Sequence, residues 1–361
     1  MPQPLICRSL RARAVMAPLK LPIMTPTVSI PQAPLVLLDL ETEQGVTGRS
    51  YIFGYTPLAL KPLVRMIEEI GPTLTGKAVA PLTRMEELDA AFELLGRQGI
   101  VTMAMAGIDM ALWDALGRAQ NAPVAQLLGA AATPLQCYDS LGLFQPGKGE
   151  AMIEASLARG FSAIKTKVAG GSVAGDLAAL KALRSVVGPD VTLMIDYNQT
   201  LTTPEAIRRI RAFEDAGIDL AWVEEPVPAE DFAGHATVRA NVSTAIQTGE
   251  NWWRAEDAGR AMSAGICDHA MLDIVKIGGL TGWMRAAPLC AAASVPVSSH
   301  LFVEASAHAL AATPGRHLLE YLDVAGLLLQ DPPQVKDGHI VPQGPGFGMD
   351  WDEKAVKAAL A

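Results

Sequence analysis

Ionisable residues recur in the second half of the chain, each at or just after the end of a short apolar segment. They are Lys165 with Lys167, Asp196, Glu224, Glu250, Asp273, His300 and Glu320. From Lys167 onward, successive positions are 20 to 29 residues apart, about the length of one strand plus one helix. Strand ends of a parallel barrel converge on one mouth, so we expect these side chains to meet there. Burying so many charges without a function would be costly.

Three consecutive positions are carboxylates, namely Asp196, Glu224 and Glu250. Carboxylates that meet at one point repel each other unless a cation lies between them, and oxygen ligands favour a hard ion. The trio therefore predicts a Mg²⁺ site, with Mn²⁺ as the second choice. Taken singly, each residue could instead cap a helix or form a salt bridge.

Lys165 and Lys167 alternate along one segment, so both side chains face the same way. We expect like-charge repulsion to lower the pKa of one amine towards the range of a general base. The alternative is a pair of solvated lysines at a strand end.

His300 and Asp273 end neighbouring segments and are predicted to form a hydrogen-bonded dyad, in which the carboxylate raises the basicity of the imidazole. For the other five histidines we expect structural or surface roles. Glu320 faces a crowded, apolar mouth, so we expect a raised pKa and a proton donor. Glu320 could instead be a fourth metal-side carboxylate or pair with a lysine.

Short strand-like and helical segments alternate after about residue 134 and predict a (β/α)₈-type (TIM) barrel over 131–330. The eight candidate strands are Gln136–Asp139, Ala163–Val168, Val191–Asp196, Leu220–Glu225, Thr244–Gly249, His269–Asp273, Val295–Ser299 and His317–Tyr321. A hairpin over 34–53 followed by three helical patterns predicts an N-terminal α+β domain over 1–130. Residues 331–361 are expected to pack back on this domain.

Composition limits the possible partners. The 361 residues carry a net charge of −9, which is a poor match for nucleic acid or an anionic membrane. Arg8, Arg11 and Arg13 interrupt what would be the apolar part of a signal peptide, and the four cysteines are scattered singly. These features favour a cytoplasmic enzyme that acts on a small molecule.

Several local strings resemble the enolase superfamily, in its mandelate racemase branch. These strings are IKTKV, IDYNQ, WVEEP, TGENW, LDIVKIGG, SSHLFVE, HLLEYLD and, in the N-terminal part, GIDMALWDALG. The resemblance implies an α+β capping domain on a modified barrel, and a homo-oligomer.

The resemblance also implies residue roles. Asp196, Glu224 and Glu250 would bind Mg²⁺, Lys167 would be one base with Lys165 as its electrostatic partner, and His300 with Asp273 the other base. Glu320 would be the acid that hydrogen-bonds the enolic oxygen, and Asn198 and Ser140 would contact the polar end of the substrate.

Position 273 gives a check on the branch. The muconate-cycloisomerase-like branch has a lysine base five residues before the GG pair, which here is Gly278-Gly279. The residue at that place is Asp273, so the second base should be the His300–Asp273 dyad. Lys276 is expected to be structural or a contact at the rim.

The expected reaction is removal of the proton α to a carboxylate by one base and its return to the opposite face by the other. This is racemisation of a 2-hydroxy acid. The same groups would serve an acid-sugar dehydratase, and a non-catalytic homologue is a remote alternative. A predicted lid over 21–32 and 53–55, with Ile23 and Tyr55 as substrate contacts, contains no charged residue. The lid therefore favours mandelate or a similar apolar acid.

Overall fold

The computed structural model describes residues 4–24, 29–168 and 171–361. An antiparallel sheet of three strands opens the chain, in the order β1 (Cys7–Met24), β2 (Ser29–Thr42) and β3 (Thr47–Phe53). The β2–β3 pair is the predicted hairpin. The long β1 was not predicted, because its arginines and prolines conceal the strand pattern.

Much of the predicted lid belongs to this sheet. Ile23 pairs with Ile30 and Met24 with Ser29, so residues 21–24 and 29–32 of the predicted lid lie at one end of the β1–β2 pair, which we call the hairpin tip, and Phe53 ends β3. Residues 25–28 of the predicted lid lie outside the described residues.

Helices α1 (Leu60–Leu74), α2 (Pro81–Ala91), α3 (Ile100–Ala119) and α4 (Val124–Leu127) complete the N-terminal part. α3 is long and apolar enough to cross a membrane, but most of it is buried within the protein, as in the core helix of a globular fold. It packs closely on the sheet, because Gly48 of β3 lies against the backbone of Ala111, with no room for a Cβ atom.

Eight parallel strands form the barrel wall, and all eight predicted strands are confirmed, most with bounds within two residues. The strands are β4 (Leu135–Leu143), β5 (Ala163–Lys167), β6 (Thr192–Asp196), β7 (Trp222–Glu224), β8 (Ile246–Thr248), β9 (His269–Asp273), β10 (Val297–His300) and β11 (Leu319–Tyr321). Backbone hydrogen bonds between β10 and the β11 segment close the ring, from Ser299 to Leu318 (3.3 Å) and from His317 to Val297 (2.7 Å).

Seven helices follow the first seven barrel strands and cover the outside of the barrel. They are α5 (Glu150–Ala158), α6 (Val173–Val187), α7 (Thr203–Asp215), α8 (Phe232–Asn241), α9 (Arg254–Ala264), α10 (Gly279–Ala292) and α11 (Val303–Ala311). The eighth strand is followed by a short 3₁₀ turn, Gly326–Leu328, where a full helix was expected. The chain thus departs from a regular (β/α)₈ pattern at its last unit.

The C-terminal residues contact both parts of the molecule. The short β12 (His339–Ile340) pairs with β4 of the barrel. The last helix, α12 (Glu353–Ala358), contributes Glu353 to an ion pair with the buried Arg13 of β1 at 2.6 Å. Through these contacts, the C-terminal segment touches both the N-terminal sheet and the barrel.

Candidate active site

Three carboxylates meet at the mouth of the barrel. Asp196 and Glu224 end β6 and β7, and Glu250 lies two residues after β8. All three are buried, and one oxygen from each lies within 4.8 Å of the others. The predicted convergence is therefore confirmed, and an all-oxygen donor set at this spacing fits Mg²⁺.

Neighbouring groups orient two of these carboxylates. The Asp196 Oδ1 atom accepts a hydrogen bond from the backbone N–H of Asn198 at 2.6 Å. The Glu224 Oε2 atom accepts from the indole of Trp222 (3.2 Å) and the amide of Gln247 (3.1 Å), and its Oε1 atom accepts from the Lys165 ammonium (2.5 Å). Such outer contacts fix the direction of metal ligands.

Lys165 lies between two carboxylates instead of beside a second free amine. Its ammonium is 2.5 Å from Glu224 Oε1 and 2.9 Å from Glu320 Oε1. Burial lowers the pKa of Lys165, but Glu224 and Glu320 outweigh it and hold the pKa well above its usual value. The expectation that paired lysines depress each other's pKa is wrong for Lys165, because each lysine has acidic partners.

Lys167 contacts Asp196, another carboxylate of the trio. Its ammonium donates to Asp196 Oδ2 at 2.5 Å, and its side chain remains 12% exposed. Lys167 is therefore the more accessible of the two amines, at the edge of the cluster.

His300 and Asp273 form the predicted dyad. The imidazole Nδ1 atom lies 2.7 Å from Asp273 Oδ2, and Nε2 lies 3.3 Å from Glu250 Oε2. Burial lowers the pKa of His300, but the carboxylates of Glu250 and Asp273 outweigh this effect and raise the pKa to about 9. The Asp273 Oδ1 atom accepts backbone hydrogen bonds from Val275 and Lys276, which fix the carboxylate.

Glu320 differs from its expected state. Burial raises its pKa, but Lys165, His300 and the backbone N–H of Leu301, at 2.7 Å, lower it to about 2. The carboxyl group is thus ionised at neutral pH in this arrangement, where a raised pKa was expected. The alternative, a salt bridge to a lysine, describes its contacts.

The predicted substrate contacts have different surroundings. Ser140 and Ile23 line a cavity of about 520 Å³ together with Lys167. The side-chain oxygen of Asn198 is buried with no hydrogen-bond partner among the described residues, so it remains available for a ligand. The Tyr55 hydroxyl instead donates to Asp273 Oδ2 at 2.9 Å, so Tyr55 contacts the dyad.

Glu225 and Asn251 join the site although the sequence prediction did not place them there, and Lys276, expected to be structural or a contact at the rim, joins them. Asn251 donates to Glu225 Oε2 (2.6 Å) and to Glu250 Oε1 (3.3 Å), and it accepts from the Lys276 ammonium (2.6 Å). The Lys276 ammonium also lies 4.4 Å from the centre of the Tyr55 ring. Glu225 and Asn251 directly follow Glu224 and Glu250 in the chain. This adjacency was the signal in the sequence that could have placed them in the site.

Two family models match the chain. The N-terminal domain model of the mandelate racemase / muconate lactonizing enzyme family matches residues 8–129. The model described as enolase C-terminal domain-like matches residues 150–355.

Proteins with known names or structures extend this similarity. The chain is 47% identical to an enolase from Bradyrhizobium whose crystal structure contains magnesium and mandelic acid, with 100% of both chains covered and a TM-score of 0.97. It is 28% identical to L-talarate/galactarate dehydratase of Salmonella typhimurium, over 89% of this chain and 81% of that one. It is also 28% identical to a hydrophobic dipeptide epimerase of Enterococcus faecalis, over 74% of each chain.

Proposed function

The chain belongs to the enolase superfamily, in the mandelate racemase and muconate lactonizing enzyme branch, and on that premise we propose that it racemises an apolar 2-hydroxy acid such as mandelate. Members related to this chain carry out different reactions, among them dehydration and epimerisation. Their shared chemistry is Mg²⁺-dependent removal of a proton next to a carboxylate. The choice among reactions therefore depends on the arrangement of the bases and of the pocket.

The observation that carries the proposal is the position of the two bases relative to the three carboxylates. Lys167 contacts Asp196 at one end of the trio, and His300 contacts Glu250 at the other end. A carboxylate substrate held at the trio would have one base on each side. Two bases on opposite faces of one carbon are what racemisation requires.

The proposed proton transfers use this chain's own groups. Lys167, as the free amine, takes the α-proton from one enantiomer, and His300, protonated, supplies a proton to the other face. From the other enantiomer the two exchange roles. Asp273 holds the imidazole through Nδ1, so that Nε2 faces the substrate. Bound Mg²⁺ would supply positive charge that stabilises the developing enolate.

Lys165 adds a second, fixed positive charge beside the reacting carboxylate. Its contacts with Glu224 and Glu320 hold the ammonium in place before substrate arrives. Such preorganised charge stabilises negative charge that develops in the transition state without further reorganisation.

The pocket walls support an apolar substrate side group. Leu21, Ile23 and Met24 of the hairpin tip line the cavity that reaches Lys167, and Leu141 and Met152 face them. Each buried methylene contributes about 0.8 kcal/mol to binding, whereas each sugar hydroxyl left unpaired costs about 1–3 kcal/mol. An aryl or alkyl group is thus favoured over a polyol.

Acid-sugar dehydration is the second candidate, because the same two bases could remove the α-proton and protonate a departing β-hydroxyl. The relative from Salmonella typhimurium is a dehydratase of this kind.

A substrate comparison separates the two candidates. With Mg²⁺ present, we expect kcat/KM for mandelate to exceed that for lactate, and dehydration of galactarate- or gluconate-type acids to stay near background. Polarimetry follows racemisation, and release of the 2-keto product follows dehydration. If an acid sugar is dehydrated with a higher kcat/KM than mandelate is racemised, the dehydratase assignment replaces the racemase.

A further inference from the structure

The cavity that reaches Lys167 extends away from the carboxylate trio Asp196, Glu224 and Glu250. Its walls are the hairpin tip, the end of β4, one side of α5 and the segment Pro332–Val335. None of these three carboxylates lines the cavity. At about 520 Å³ it falls within the usual range for small-molecule sites and offers more room than a small acid such as lactate needs.

A buried carboxylate faces the outer part of this cavity. Along β4, Tyr138 and Ser140 point into the barrel, so Asp139 between them points outward. Its side chain is 8% exposed, and the cation beside it, Arg159, is 3.9 Å away, beyond hydrogen-bond distance. Ser156 of α5 lies beside this carboxylate, and its buried hydroxyl has no hydrogen bond of standard geometry within the described part of the chain.

Arg159 is held in place by aromatic rings. Its guanidinium lies 4.5 Å from the centre of the Tyr321 ring and 5.0 Å from that of Phe161. Stacking uses the face of a guanidinium, whereas its N–H groups donate in the plane. Arg159, whose side chain is 43% exposed, therefore presents N–H donors near the acceptor Asp139, and both residues line the cavity.

We propose that this outer cluster, Asp139 with Ser156 and Arg159, binds a hydroxyl group at the far end of the substrate side chain. A neutral hydroxyl can donate to the carboxylate and accept from Arg159 or Ser156. A terminal carboxylate would be repelled by Asp139, and a terminal ammonium by Arg159. Lys20 and Asp323, which also line the cavity, neutralise each other in an ion pair at 3.1 Å. The apolar lining between this cluster and Lys167 accommodates the body of the chain.

The register between β4 and β5 sets the length that the substrate side chain needs. Asp139 pairs with Ile164, which lies three residues before Lys167 on β5. At roughly 3.3 Å per residue, the two backbone positions are about 10 Å apart along the strands, and this is a lower bound because Asp139 points outward whereas Lys167 points into the mouth. An extended side chain needs roughly eight bonds or more to span this distance. The inference rests on the proposed function, since the reacting end must lie at Lys167.

The test uses 2-hydroxy acids with unbranched side chains of increasing length, each ending in either a hydroxyl or a methyl group. Exchange of the α-hydrogen with solvent deuterium gives kcat/KM for each acid. We expect the hydroxyl-ended acid to be preferred about tenfold once the side chain has roughly eight bonds or more, with no preference for short chains. Asp139→Asn and Ser156→Ala should each reduce this ratio to about threefold or less. Glu154→Gln, an exposed change on α5, is the matched control and should keep the ratio.

Binding is measured separately, so that failure of the proposed function can be distinguished. Analogues with a methyl group in place of the α-hydrogen cannot react, and calorimetry with Mg²⁺ gives their affinities. A hydroxyl preference in binding without any exchange supports the cluster assignment and contradicts the proposed function. Equal affinities for both chain ends at every length, or an unchanged ratio in Asp139→Asn, overturn the inference.

Discussion

Lys165 and Glu320 show how the environment of a residue decides its charge. Both residues were predicted at the barrel mouth, and both lie there. Their ionisation was predicted wrongly, because the sequence places residues on strand ends without giving the distances between side chains. The contact of 2.9 Å between the two groups keeps both charged. Under the proposed function, proton transfer therefore involves His300 and Lys167.

The trio Asp196, Glu224 and Glu250 gives a prediction that does not depend on turnover. Bound Mg²⁺ stabilises the native state, so the melting temperature should rise with Mg²⁺ concentration, by about 2 °C or more at saturation. Glu250→Gln removes one charged ligand and should abolish most of this rise. Differential scanning calorimetry with and without EDTA measures it.

Glu154→Gln, an exposed carboxylate outside the trio, is the control and should respond to Mg²⁺ as the native protein does. An equal rise in Glu250→Gln would show that Mg²⁺ binds elsewhere.

Strands and helices explain how much of the fold could be read from the sequence. Most barrel strands are short apolar runs that end in or run into a polar residue, and this pattern, with the helical segments between the strands, located all eight. β1 was hidden because Arg11 and Arg13 interrupt its apolar pattern and Pro18 argues against a strand. Arg13 is buried only because Asp39 and Glu353 pair with it. These partners are distant in sequence, so no local pattern could reveal the strand.

The hairpin tip shows the same limit for substrate selection. Its apolar composition was visible in the sequence, but the polar groups across the cavity were not, since Asp139 and Arg159 lie on the barrel. Likewise Tyr55 was placed at the lid by its position in the chain. Its hydroxyl contacts Asp273, so the N-terminal part of the chain supports the dyad directly.

At the scale of the whole molecule, buried carboxyl groups join the N-terminal part to the barrel. Asp109 of α3 accepts hydrogen bonds from Thr281 at the start of α10, at 2.8 Å from the backbone N–H and 2.5 Å from the hydroxyl. Glu304 of α11 accepts from the Tyr51 hydroxyl of β3 at 2.7 Å. Burial raises the pKa of both carboxyl groups to about 7, although these hydrogen bonds oppose the rise.

These raised pKa values predict how stability depends on pH. Unfolded carboxyl groups titrate near pH 4, so between about pH 4 and 7 the native state binds more protons than the unfolded state. The free energy of unfolding from these groups is therefore greatest at low pH and falls as pH rises through this window. Asn mimics the protonated form of Asp109. Between pH 5 and pH 8, the free energy of unfolding of Asp109→Asn should therefore fall by about 2–3 kcal/mol less than that of the native protein.

Urea unfolding at the two pH values measures this difference. Asp190→Asn, an exposed change in the turn before β6, should keep the native pH dependence. If Asp109→Asn loses as much stability as the native protein between pH 5 and pH 8, burial does not raise the pKa of Asp109 as described.

Proton exchange in His300→Asn tests the two-base arrangement most directly. Each enantiomer of mandelate is incubated with enzyme and Mg²⁺ in deuterium oxide, and loss of the α-hydrogen is followed by NMR. The native enzyme should exchange and racemise both enantiomers. His300→Asn should lose racemisation but keep exchange of the one enantiomer whose proton Lys167 removes. Loss of exchange for both enantiomers, or racemisation that persists without His300, would contradict two bases acting on opposite faces.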